Sequence, residues 1–181
     1  VFWPAAMDIK YKDIEALPDK HIDITFFNGS IRNSEQEHMA KLLRQKSKTL
    51  VAFGSCAHEG SVPGLANLNT KAEVFEHVYI KDKSNVNPQT TMPKTETKIK
   101  EGKLELPEFY DTVRTLAQTV DVDYYLPGCP PPVKLIAEAI DAQLNGRDQR
   151  HKLGFTKRPP HRPAKIRRPQ TIAELEDALR N

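Results

Sequence analysis

Leu50-Val51-Ala52-Phe53 is an uncharged run of strand formers that ends at Gly54. A run apolar at every position reads as a strand buried on both faces, as in parallel sheets covered by helices above and below. Upstream, Ile22-Asp23-Ile24-Thr25-Phe26-Phe27 alternates and is β-branched or aromatic, so it reads as another strand, ended by Asn28-Gly29-Ser30. Between the two, Asn33-Ser34 offers a helix cap, and Glu35 and Glu37 fall where the helix dipole favours anions. The helix predicted over 34–46 sets Met39, Leu42 and Leu43 on one face. Lys41, Arg44, Lys46 and Lys48 gather at its C-terminal end, which favours cations. Strand, helix and strand within about 30 residues make a βαβ unit with a right-handed crossover. The fold class is therefore α/β.

Further along, Asp8 to Leu17 reads as a short helix or turn ahead of Pro18, and Lys71 to Val78 as a short helix. A polar excursion over 81–103, with Pro88 and Pro93, is long enough to suggest a functional loop or an interface lid. Leu106-Pro107-Glu108 is expected to start a helix, because Phe109, Val113, Leu116 and Val120 follow at helical spacing. Val122 to Leu126 reads as a strand. The helix predicted from Pro132 to Leu144 stops at Asn145-Gly146. Residues 1–146 thus form the folded domain.

From Arg147 to Arg168 the chain carries nine Lys/Arg against one acid, and Pro159, Pro160, Pro163 and Pro169 keep it extended. Residues 147–181 read as a basic proline-rich tail with a short amphipathic helix over Thr171–Leu179. The tail suits an arm lying on a neighbouring subunit better than a nucleic-acid grip, since aromatic residues hardly interleave its charges. The net charge of the 181 residues, +3, also fails to call for nucleic acid. No apolar run approaches the roughly 20 residues of a membrane span. Two cysteines in unlike contexts make no disulfide framework, and no secretory signal is legible, so a reducing, cytoplasmic setting is expected. The opening Val1-Phe2-Trp3-Pro4 reads as the end of a strand, so a first strand is expected upstream of Val1.

The two cysteines carry the chemistry. Cys56 follows Phe53-Gly54-Ser55, and Cys129 follows Leu126-Pro127-Gly128 and precedes Pro130-Pro131-Pro132. Ligands of open α/β sheets bind beyond the carboxyl ends of the strands, so the two thiols are expected to meet in one site. Thiolates suit an iron–sulfur cluster or zinc. Backbone N–H groups of the 54–56 and 128–129 turns are placed to donate to cluster sulfides, and Pro130 and its neighbours to hold the ligand loop. By spacing alone the signal is weak, since two lone cysteines are more often inert core thiols. Two thiolates are also half of a Cys₄ site. His58 reads as an exposed loop histidine rather than a ligand or relay, Glu59 as a solvated carboxylate, His38 as surface and Trp3 as core.

Gly54-Ser55-Cys56-Ala57, Pro63-Gly64-Leu65-Ala66-Asn67 and Leu126-Pro127-Gly128-Cys129-Pro130-Pro131 resemble the small subunit of [NiFe] hydrogenases. The nearest type is the F420-non-reducing (methyl-viologen-reducing) one that works with heterodisulfide reductase. Asn28-Gly29-Ser30-Ile31-Arg32, Ser34 to Met39 and Leu106 to Tyr110 carry the same likeness, which covers roughly residues 1–146. The resemblance implies a flavodoxin-like three-layer domain, here without its first strand. It implies a proximal [4Fe–4S] cluster held against a large nickel–iron subunit, with Cys56 as third ligand, Cys129 as fourth, and Gly54, Ser55, Gly128 and Pro130 around the cofactor. The first two ligands, a Cys-x-x-Cys pair, are expected upstream of Val1. Implied partners are the large [NiFe] subunit and further iron–sulfur or flavin subunits, heterodisulfide reductase among them, with no nucleic acid. Where close relatives carry a further cysteine this chain has Ser61, and its tail lacks the cysteines that bind additional clusters. The implied function is electron relay. A complex I-like cluster subunit and a cluster-less scaffold are the alternatives.

Overall fold

The computed structural model describes residues 9–145. In chain order they form α1 (Tyr11–Ala16), β1 (Ile22–Asn28), β2 (Ile31–Asn33), α2 (Ser34–Lys46), β3 (Ser47–Phe53), α3 (Gly54–Glu59), α4 (Ser61–Gly64), α5 (Lys71–Glu76), β4 (Glu96–Ile99), β5 (Gly102–Glu105), β6 (Phe109–Arg114), β7 (Tyr124–Leu126) and α6 (Val133–Leu144). The expected upstream strand, Trp3, the basic tail and the Thr171–Leu179 helix lie outside the described residues. None of the described helices is long and apolar enough to cross a membrane.

β1, β3 and β7 make a parallel sheet with β3 in the middle. Successive strand residues face opposite ways, which explains the uncharged run. Leu50 and Ala52 pack with Met39, Leu42 and Leu43 of α2 and with Ile14 of α1. Val51 turns to the other side, where Leu126 and Ala139 join it and Phe53, Leu135 and Ile136 pack around them. The sheet is therefore covered on both faces, by α1 and α2 on one and α6 on the other, in the three layers expected. Asn28 pairs with Phe53, and Phe53 with Leu126, so the carboxyl ends of all three strands lie level.

Both ends of α2 are fastened. At its start the Asn33 side chain accepts from the Gln36 N–H (2.8 Å), and the Gln36 side chain accepts from the Asn33 and Arg32 N–H groups. This is a capping box. At its end Arg44 donates to the Ser47 and Lys48 carbonyls and to Asp123 Oδ2 (2.6 Å). Asp123 also accepts from the Leu50 N–H (2.8 Å), so one carboxylate ties the entry of β7 to the central strand and to α2.

The structure corrects three expectations. The helix predicted from Leu106 is instead β6, antiparallel to β2, followed by a 3₁₀ turn at Leu116–Gln118. Phe109, Val113 and Leu116 fit a helical period, but Phe-Tyr-Asp-Thr-Val-Arg is also rich in strand formers, and pairing with β2 decides in favour of the strand. The excursion over 81–103 is not wholly irregular, since β4 and β5 form a hairpin at its end. The 71–78 helix ends at Glu76 and continues as a π turn over His77–Lys81.

Asp123→Ala leaves the Leu50 N–H and the Arg44 guanidinium without their shared acceptor. It is expected to lower the unfolding free energy by about 1–3 kcal/mol in denaturant titration. Asp123→Asn keeps an acceptor for Leu50 and should lose less.

Candidate metal centre

β3 ends in Phe53, and Gly54 then turns the chain with a φ of +84°, a conformation that strains any residue with a side chain. α3 starts there, so Cys56 lies in the first turn of a short helix, half-buried, rather than in an open loop. Gly60, at φ +88°, closes that helix with its N–H on the Cys56 carbonyl (3.1 Å). Beyond β7, Pro127 and Gly128 lead to Cys129, whose residue is exposed and joined to Pro130 by a cis bond. Pro131 is buried, and Pro132 is the N-cap residue of α6.

The two turns are bonded to one another in both directions. The Ser55 N–H donates to the Gly128 carbonyl (2.9 Å), and the Gly128 N–H donates to the Ser55 hydroxyl (3.3 Å). Each cysteine is thus one residue away from a reciprocally bonded pair. Gly128 must be glycine: at φ +133°, an added Cβ would lie 2.5 Å from Pro131 Cα and 2.8 Å from its nitrogen. A Cβ on Gly54 would stand 3.5 Å from the Gly128 carbonyl oxygen, an ordinary contact, so glycine is favoured there by its φ of +84° rather than by lack of space.

Both thiols are free. Among the described residues no group of three or more His, Cys, Asp or Glu comes together to hold a metal. The donor set in view is two thiols. That fits half of a Cys₄ site and falls short of a closed zinc site. The N–H groups of Ser55 and Gly128, expected to face a ligand, are engaged in docking the turns. Pro130 has no N–H and shapes the loop only through its ring.

His58 is not the exposed loop histidine expected. Because Gly54–Glu59 is helical, His58 swings inward. Its ring nitrogens are shielded from water and its ring packs 5.0 Å from that of Tyr125 in β7, while Glu59 stays exposed as expected. His38 is on the surface, opposite Glu15. Asn67 was missed as a working residue. Its side chain donates to the Val113 carbonyl (2.9 Å) and accepts from the Val113 N–H (2.7 Å), imitating a strand partner for β6. It thereby fixes the segment after Cys56, whose Val62, Leu65 and Leu68 are exposed, as is Val133 after the Cys129 turn. An asparagine beside apolar residues in a compact turn was the available signal.

The profile of the family described as NADH ubiquinone oxidoreductase, 20 Kd subunit, matches residues 3–143. The chain belongs to this family. It is 46% identical over 147 residues to an F420-non-reducing hydrogenase iron-sulfur subunit of Archaeoglobus profundus, covering 81% of this chain and 46% of that protein. It is 38% identical to an F420-non-reducing hydrogenase subunit of Methanocaldococcus jannaschii, covering 78% and 46%. The chain spans less than half the length of both relatives. Among solved structures it resembles a chain in the crystal structure of the NAD⁺-reducing [NiFe]-hydrogenase in the H₂-reduced state. The TM-score is 0.61 at 28% identity, covering 81% of this chain and 71% of that one.

Gly128→Ala is expected to distort the turn against Pro130 and Pro131, disturb the bonds to Ser55 and cost roughly 2 kcal/mol or more of stability. Ser55→Ala removes only the hydroxyl acceptor and should cost about 1 kcal/mol. Denaturant unfolding of the two variants side by side reads the difference.

Proposed function

We propose that this chain is the electron-transfer small subunit of a hydrogenase-type redox complex. In this reading Cys56 and Cys129 are two of four thiolate ligands of a proximal [4Fe–4S] cluster, and a Cys-x-x-Cys pair upstream of Val1 supplies the other two. The observation that carries the reading is the reciprocal Ser55–Gly128 contact. It brings two cysteine turns, 73 residues apart in sequence, into register at the carboxyl ends of β3 and β7.

When bound, the cluster supplies a one-electron redox step. The chain's own contribution is positional. Gly54 and Gly128 give the two turns their positive-φ shapes, and Ser55 fastens one turn to the other. Pro130 and the prolines after it restrict the Cys129 loop, so the two sulfurs are held rather than gathered on binding. Val62, Leu65 and Leu68 after the Cys56 turn and Val133 after the Cys129 turn are exposed apolar residues, suited to contact a large [NiFe]-type subunit. Catalysis, as hydrogen oxidation or proton reduction, belongs to the complex, and this chain makes no bond to substrate. Electrons pass between the large subunit and further iron–sulfur or flavin subunits, heterodisulfide reductase among them, in the cytoplasm.

A second reading rests on the donor count. With two thiols among the described residues, a cluster-less scaffold would keep the same fold and the same exposed apolar residues. Relatives named as hydrogenase subunits, one of them an iron-sulfur subunit, favour the relay. Cys56→Ser and Cys129→Ser, each placed in the full-length protein and purified in its complex, separate the two. The relay predicts loss of one cluster's worth of iron and of its electron paramagnetic resonance signal in each variant, with the complex still assembled. Iron content and spectrum unchanged in both would leave the scaffold.

A further inference from the structure

The hairpin of β4 and β5 pairs with no other strand among the described residues. Its register sets Thr97 opposite Leu104, Lys98 opposite Lys103, Ile99 opposite Gly102 and Glu96 opposite Glu105. Cross-strand partners share a face, so the hairpin is two-sided. One side holds Glu96, Lys98, Lys103 and Glu105, and there Lys103 pairs with both Glu96 and Glu105. The other side holds Thr97, Ile99 and Leu104, continued by Leu106. Ile99 is 44% exposed, Leu104 54% and Leu106 56%.

All eight strand residues are exposed. A lone two-stranded hairpin is marginally stable in water, and an exposed apolar face of this kind marks a contact surface. The hairpin is rooted at the end of the sheet that carries the cysteines. Leu106 N–H bonds Thr95 O, and Glu108 exchanges hydrogen bonds with Ser34 at the start of α2, all at 2.9 Å.

Charge indicates what covers the face. Lys103 is neutralised within the hairpin, whereas Lys98 and Lys100 make no ion pair among the described residues. The tip over 98–103 holds three lysines against Glu101. A second copy would set these lysines against their equals, and like charges across an interface are costly. An apolar groove edged with carboxylates satisfies both the face and the tip.

We propose that the hairpin is a docking arm that lays its Thr97, Ile99 and Leu104 face into an apolar groove of a different protein subunit, whose rim carboxylates receive Lys98 and Lys100. The arm does not depend on the cluster and would serve a scaffold equally.

The test uses the native complex. A carbodiimide, which joins amines to carboxylates already in contact, is expected to link Lys98 or Lys100 to an Asp or Glu of another subunit, located by mass spectrometry. Ile99→Asp with Leu104→Asp should weaken association with that subunit by about tenfold or more, and Lys98→Glu with Lys100→Glu should do likewise. These side chains lie outside the core, so unfolding midpoints and iron content should stay at wild-type values. Links confined to this chain or made to a second copy, or wild-type association of both double variants, would overturn the proposal.

Discussion

Two hydrogen bonds between Ser55 and Gly128 hold the cysteine end of this molecule together. Without them Cys56 and Cys129 sit on separate connections, each free to move with its own loop. With them the turns that carry Cys56 and Cys129 share one backbone frame. Both bonds need the two turns to keep their shapes, and glycine at 54 and 128 permits the positive φ that each shape requires. At Gly128 the tight packing against Pro130 and Pro131 excludes a side chain as well.

That frame rests on the central strand. β3 hydrogen-bonds on both sides, and its side chains are divided between two apolar layers, so its carboxyl end cannot shift without disturbing either core. The middle of β3 is tied at Leu50 by Asp123, which joins β7 to β3 and to Arg44 of α2. Asp123 and the Ser55–Gly128 contact clamp β7 at its two ends, and only three residues of strand lie between. The position of Cys129 relative to Cys56 follows from that clamp. Asn67 extends the same order sideways, fastening the segment after Cys56 to β6, from whose base the hairpin rises.

The parts legible in the sequence are those whose signal is local. Leu50 to Phe53 lacks charge because the strand is buried on both faces. α2 was readable to the residue because Asn33 and Gln36 form its cap and Arg44 and Lys46 its basic end. β6 was hidden because Phe109, Val113 and Leu116 satisfy a helical period as well, and pairing with β2 is a long-range event that no window reports. His58 turned inward because the residues after Gly54 wind into a helix against Tyr125, a packing choice made by β7 far along the chain. The hairpin did leave a trace, the alternation in Thr-Lys-Ile-Lys-Glu-Gly-Lys-Leu-Glu-Leu around Glu101-Gly102, but its apolar side has no core to point to. At the site, both cysteines and both glycines were legible. Their meeting was inferred from the strand-end rule. Ser55 was legible as a residue beside the cofactor through the resemblance, but its bonds to Gly128, which join the two turns, became visible only in three dimensions.

The most direct test is an anomalous-difference map at the iron absorption edge, recorded from crystals of the native complex containing the full-length protein. The account predicts a compact iron peak within bonding distance of both Cys56 Sγ and Cys129 Sγ. A map with no iron beside these sulfurs, or with iron bonded to neither, would contradict it.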